Sequence, residues 1–164
     1  HKEYRRQRQM CIRDRHVGLI REIHEAGAAT RLMLDRDVAG GIQAAMYGSR
    51  IDMCAGVGGS PEGIVTTCAI KALGGFIQGV LAPKDEAERD RGLEAGLKFD
   101  HVYEADELVA SDNTIFVATG VTDGALVQGV RVKGPIIRTD SIILRGHSGT
   151  IRRLESDYNS ARWH

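Results

Sequence analysis

A chain of 164 residues that is 42% hydrophobic and 27% charged can bury one globular core, which excludes an intrinsically disordered protein. Lys+Arg and Asp+Glu balance at 22 each, so no global charge draws the chain to nucleic acid or to an anionic membrane. The most apolar window, residues 63–82, is interrupted by Lys71, Gly74, Gly75 and Gln78 and reads as a buried helix and strand rather than a membrane span.

Residues 1–15, "HKEYRRQRQMCIRDR", hold six Lys/Arg against two Asp/Glu. No aromatic stacking pattern or groove-entering motif accompanies them, so a nucleic-acid arm is not supported. The run "QMCIRDR" also resembles translated sequencing-adapter read-through, which sets the segment apart from the rest of the chain. "HVGLIREIHEAG" (16–27) spaces Val17, Ile20 and Ile23 for a helix that stops at Gly27. "ATRLML" (29–34) is expected as a short strand. Asp35 or Asp37 then caps a helix in "VAGGIQAAMYG" (38–48), weakened by Gly40 and Gly41.

"RIDMCAGV" (50–57) is expected as a second strand, with Cys54, and later Cys68, as small buried side chains in a reduced compartment. "EGIVTTCAIKALGG" (62–75) is the next helix, closed by glycine. Strand, helix, strand, helix in this order predicts parallel strands with a right-handed crossover. Asp35, Asp37 and Glu62 would then share the rim beyond the strand ends, where ligands bind in open α/β sheets.

Downstream, "FIQGVLA" is expected as a strand, "KDEAERDRGLEAGL" as a solvated helix, and "HVYEADELV" as a strand edge and short helix. "TIFVATGVTDGALVQGVRV" is expected as a buried strand, a turn and a further strand. "PIIRTDSIILRGHSGTIRRLESDY" alternates in two runs joined by "GHSG", the pattern of a hairpin. The class expected is α/β: a mixed sheet with helices on its faces, about half of a layered architecture.

The stretch "GVGGSPEG" (56–63) leaves two readings open. Ser60 as N-cap, Pro61 at N1 and Glu62 in the first turn make a helix start. Glu62 is equally a hard oxygen donor for an ion such as Mg²⁺. The third glycine of a dinucleotide fingerprint is missing, and no Gly-Lys-Ser/Thr comes after it to make a P-loop. His16, His24, His101 and His147 have no H-x-x-x-H spacing, which argues against zinc. His147 and Ser148 in "GHSG" read as turn residues rather than a nucleophile and its base, and Thr122-Asp123-Gly124 reads as turn chemistry.

In register, "DRDVAGGI", "GVGGSPEG", "KALGG", "SDNTIFVATGVTDGALVQGV" and "LRGHSGTIRR" resemble the carboxyl-terminal half of class II fructose-1,6-bisphosphatases of the lithium-sensitive phosphatase superfamily. The resemblance covers about Arg13 to Tyr158. It implies residues 16–158 as the carboxyl-terminal domain, residues 1–15 as a basic segment outside the family and residues 159–164 as a tail. It also implies metal-dependent hydrolysis, with Mn²⁺ or Mg²⁺, of the 1-phosphate of fructose 1,6-bisphosphate in cytoplasmic gluconeogenesis. A sedoheptulose-1,7-bisphosphatase or dual-specificity enzyme is the enzymatic alternative, and a non-catalytic sugar-phosphate-binding module the alternative of another class.

Residue by residue, the resemblance makes Glu62 a metal ligand and Gly59 a substrate contact. Asp35, Arg36 and Asp37 fall on a sugar-holding block, with Arg36 in place of its middle glycine. Arg13, Asp14, Arg15 and His16 fall on a phosphate-contacting block, with Asp14 in place of a proline. The partner implied is a small sugar bisphosphate, without nucleic acid or membrane, and a homo-oligomer at full length. No catalytic residue is assigned. The family's other acidic ligands lie in an amino-terminal half not present here, so the 164 residues are expected to be an incomplete and inactive piece.

Overall fold

The computed structural model describes residues 16–32 and 37–162. Its helices are α1 (16–25), α2 (Asp37–Ala45), α3 (Ser60–Ala72), α4 (Glu86–Glu94) and α5 (Ala105–Leu108). Its strands are β1 (Gln78–Val80), β2 (Val102–Glu104), β3 (Ile115–Thr119), β4 (Arg131–Lys133), β5 (Ile136–Arg145) and β6 (Thr150–Asn159). This mixture of helices and sheets agrees with the expected α/β class and is consistent with part of a phosphatase fold.

The larger sheet is built around β5. Its amino-terminal end pairs with β4 and its carboxyl-terminal end with β3, while β6 runs along it for its whole length. β1 and β2 form a second, small sheet. Every pair among the described residues is antiparallel. The expected parallel strand–helix–strand unit does not form. Residues 29–32 and 50–57 carry no strand, and residues 33–34 lie outside the described ones. Apolar runs fit a buried strand only where a neighbouring strand offers its ladder, and here the ladder is made from later segments. Without that strand, Cys54 is exposed rather than buried, and Cys68 on α3 is half-buried.

The core lies between α2 and α3 and one face of the larger sheet. Ile42, Ala69, Ala72, Phe116, Ile142 and Leu144 form it, with Leu126 and Val127 of the 120–129 loop packed against its side. Full burial of an Ile or Leu side chain contributes roughly 1.5–3 kcal/mol before conformational entropy is charged against it. Thr66 and Thr67 are buried as well, and their hydroxyls donate to the Glu62 and Gly63 carbonyls one turn back at 2.7 and 2.8 Å. The tail hairpin forms as its alternation predicts, with Gly149 at φ 60° in the 146–149 turn. His147 is exposed there, and the Ser148 hydroxyl pairs with Thr150 at 2.7 Å, which bears out a turn.

Asp123 bears out its turn reading too, because its carboxylate accepts from Gly129 N–H at 2.9 Å. Asp140 adds a second clamp from β5, accepting from Gln128 N–H at 2.8 Å. The solvated helix α4 is capped by Asp85, which accepts from Glu88 N–H at 2.7 Å, and it buries nothing. No described helix is long and apolar enough to cross a membrane.

Candidate functional site

The segment leading into α3 decides the geometry. Gly59, not Ser60, is the N-cap; Ser60 opens the helix, and no side chain caps it. The expected cap is therefore displaced by one residue, because extended backbone at Gly59 (φ −75°, ψ 153°) hands over to helix at Ser60. Glu62 then occupies the third helical position, one turn above the cap. Its carboxylate folds back over Gly59, into the space a β-carbon there would fill. Gly59 thus allows a close approach of the acid rather than supplying an unusual φ.

Glu62 is exposed, and among the described residues its carboxylate has no hydrogen-bond or ion-pair partner. A carboxylate at the positive end of a thirteen-residue helix is stabilised by the helix dipole and stays available as an oxygen donor. His16 reaches the same segment from α1. Its Nε2 accepts from Val57 N–H at 3.4 Å, a long hydrogen bond.

α2 and α3 pack side by side in the same direction. A β-carbon on Gly41 would meet Thr66 Cγ2 at 2.7 Å, and Ala45 lies beside Gly75, which itself touches Ile70. Position 41 is thus level with 66, and position 45 with Gly75, just beyond the carboxyl-terminal end of α3. The parallel strands expected to carry Asp37 and Glu62 to one rim do not form; Asp37 instead opens α2 and Glu62 lies in the first turn of α3, two helices that pack against each other. Of the other expected site residues, Arg13, Asp14, Arg15, Asp35 and Arg36 lie outside the described residues, and of Asp37 only the backbone is described. No cluster of three or more His, Cys, Asp or Glu suited to a metal ion exists among the described residues. Glu62 is one donor of an incomplete set.

A second polar centre holds the far end of α3. Lys71 is nearly buried, and its ammonium donates to Val109 O at 2.7 Å and lies 2.7 and 3.0 Å from Asp106 and Asp112. Hydrogen bonds to Asp106 and then Asp112 raise its pKa above the usual lysine value, against the opposing effect of burial. This clamp ties α3 to α5 and to the segment entering β3. In the sequence, Lys71 registers only as a break in an apolar run. Its signal was that interruption, a charge in a helix otherwise fit for burial, which requires a partner from elsewhere in the chain.

Over residues 6–158 the chain matches the family described as bacterial fructose-1,6-bisphosphatase, glpX-encoded. A class 2 fructose-1,6-bisphosphatase of Haemophilus influenzae is 36% identical over 160 residues, covering 90% of this chain and 48% of that protein. Two cyanobacterial proteins named D-fructose 1,6-bisphosphatase class 2/sedoheptulose 1,7-bisphosphatase, from Acaryochloris marina and Nostoc sp., are each 36% identical over 157 residues. They are covered over 45% and 46% of their lengths and cover 88% of this chain. The chain spans about half the length of the curated relatives it matches.

Proposed function

The chain belongs to the bacterial, glpX-encoded fructose-1,6-bisphosphatase family, and on that premise we propose that residues 16–158 form the carboxyl-terminal domain of a metal-dependent sugar-bisphosphate phosphatase. The reaction is hydrolysis of the 1-phosphate of fructose 1,6-bisphosphate, serving gluconeogenesis in the cytoplasm, by an oligomer of full-length chains. The observation that carries this reading is the exposed Glu62 carboxylate at the head of α3, without a partner among the described residues and folded back over Gly59.

In this reading Glu62 holds a divalent ion, Mn²⁺ or Mg²⁺, together with further acids that are not gathered around it among the described residues. When bound, the metal supplies Lewis-acid stabilisation and an activated water. The chain's own residues bind and orient the substrate. Asp35 and Asp37 accept hydrogen bonds from sugar hydroxyls, with Arg36 between them adding a cation toward a phosphate. Arg13 and Arg15 neutralise the second phosphate, and His16 contacts it, with Asp14 in the same block. Gly59 contacts the substrate beside Glu62. One ligand does not assemble a catalytic centre, so the 164 residues alone turn over no sugar bisphosphate.

The test is calorimetric titration of this chain with Mn²⁺. Weak binding is expected, to be lost on Glu62→Gln; an unchanged isotherm for that variant refutes the metal-ligand role. The double names of the Acaryochloris and Nostoc relatives favour a second reading, in which sedoheptulose 1,7-bisphosphate is also a substrate. Comparing turnover of the two sugars by a protein of the relatives' full length decides between them.

A further inference from the structure

The larger sheet has two faces of different character. Register places Phe116, Ala118, Ile142 and Leu144 on one, under α2, α3 and the 120–129 loop. The same face carries the sheet's acids. Asp157 makes two 2.6 Å hydrogen bonds with Arg138, Glu155 pairs with Arg131 and Arg138, and Asp140 holds the loop.

Alternation puts Ile115, Val117, Val132, Ile143, Leu154 and Tyr158 on the opposite face. No helix among the described residues buries it: Ile115, Val117, Val132, Leu154 and Tyr158 are 46–69% exposed. At its hairpin end stand Arg145, opposite Thr150, and Arg152, opposite Ile143. These are diagonal neighbours, close enough for two long side chains to share one partner. Neither has an ion-pair partner among the described residues, and the strands place no acid on this face. An exposed apolar stripe ending in unmatched cations is the signature of a surface built to be covered.

We propose that this face is the docking surface for the half of the family polypeptide that these 164 residues do not represent, with carboxylates of that half engaging Arg145 and Arg152. Two observations select this occupant. The matched relatives are about twice as long as the region they share with this chain, so each carries a comparable mass of polypeptide that needs a packing surface. The face also holds cations without anions, so a second copy stacked on it would bring like charges together, whereas an apolar surface with acidic groups complements it. The proposal rests on family membership and not on the metal role of Glu62, so either can fail alone.

The experiment uses a chimera in which this chain replaces the corresponding region of the Haemophilus influenzae relative. Val117→Cys and Leu154→Cys are labelled with a maleimide in the chimera and in the isolated chain, with Tyr47→Cys as the exposed reference. Labelling in the chimera at least about tenfold slower at both face positions, and unchanged at position 47, is expected. Equal rates in both contexts overturn the proposal. A second arm needs only the isolated chain: Val117→Asp combined with Leu154→Asp should leave its unfolding midpoint nearly unchanged and reduce its self-association. Unfolding by this pair means the chain itself covers the face, and a discrete homodimer dissociated by it assigns the face to a second copy. Either result overturns the proposal.

Discussion

Replacing Gly41 by alanine tests whether helix contact, rather than helix propensity, governs the end of the molecule that carries Glu62. In an exposed helix interior the change should stabilise by about 1 kcal/mol, because glycine surrenders more backbone entropy than alanine. Here the new β-carbon would stand 2.7 Å from Thr66 Cγ2, about 1 Å inside an ordinary carbon–carbon contact. Thr66 cannot swing aside without losing its 2.7 Å hydrogen bond to Glu62 O, and its branched side chain has few rotamers to choose from. Overpacking of this kind costs about 1–3 kcal/mol, so the net expectation is neutral to destabilising by about 2 kcal/mol. Gly63 supplies the internal control: it lies on α3, and a β-carbon there meets nothing within 4 Å. Gly63→Ala should stabilise by about 1 kcal/mol. Urea denaturation monitored by circular dichroism measures both, and the variants should differ by about 1–3 kcal/mol, or a few degrees in Tm for each kcal/mol. Equal stabilisation by the two substitutions would refute the close packing of α2 on α3.

Gly59→Ala should weaken Mn²⁺ binding by this chain with little change in its unfolding midpoint, since the new β-carbon displaces only the flexible Glu62 carboxylate; calorimetry and a urea melt on one sample check both halves. Gly120→Ala should destabilise by about 1–3 kcal/mol in the same melt, because its β-carbon would collide with the Gln128 carbonyl, a backbone group that cannot rotate away. The Asp157 carboxyl, held below its usual pKa by its hydrogen bonds to Arg138, should titrate below the range of an ordinary aspartate in a carbon-detected NMR experiment. Its folded pKa is depressed, so its stabilising contribution is complete above the unfolded carboxylate pKa and is lost as pH falls through the folded value. Arg138→Gln should return the titration to the usual range; an unmoved midpoint would show that another group sets it.

Particular residues show where legibility ended. The hairpin of β5 and β6 was readable because strict alternation and a glycine-rich turn are local signals, and α4 because its charges and Asp85 cap need no partner. The start of α3 at Ser60-Pro61-Glu62 was readable from helix-start chemistry, although the cap fell on Gly59. The apolar run 50–57 misled, since periodicity reports what a segment could bury and not which strand will pair with it. Lys71 was silent for the same reason, because Asp106 and Asp112 are distant in sequence and meet it only after α5 docks.

Short stretches of chain carry the family blocks, the α/β character and the identity of the acid in the first turn of α3. Contacts between elements set the side-by-side packing of α2 on α3, the antiparallel pairing of the described strands and the exposure, among the described residues, of one sheet face. Those outcomes depend on contacts between segments tens of residues apart, whose free energy belongs to the pair and is written in neither segment alone.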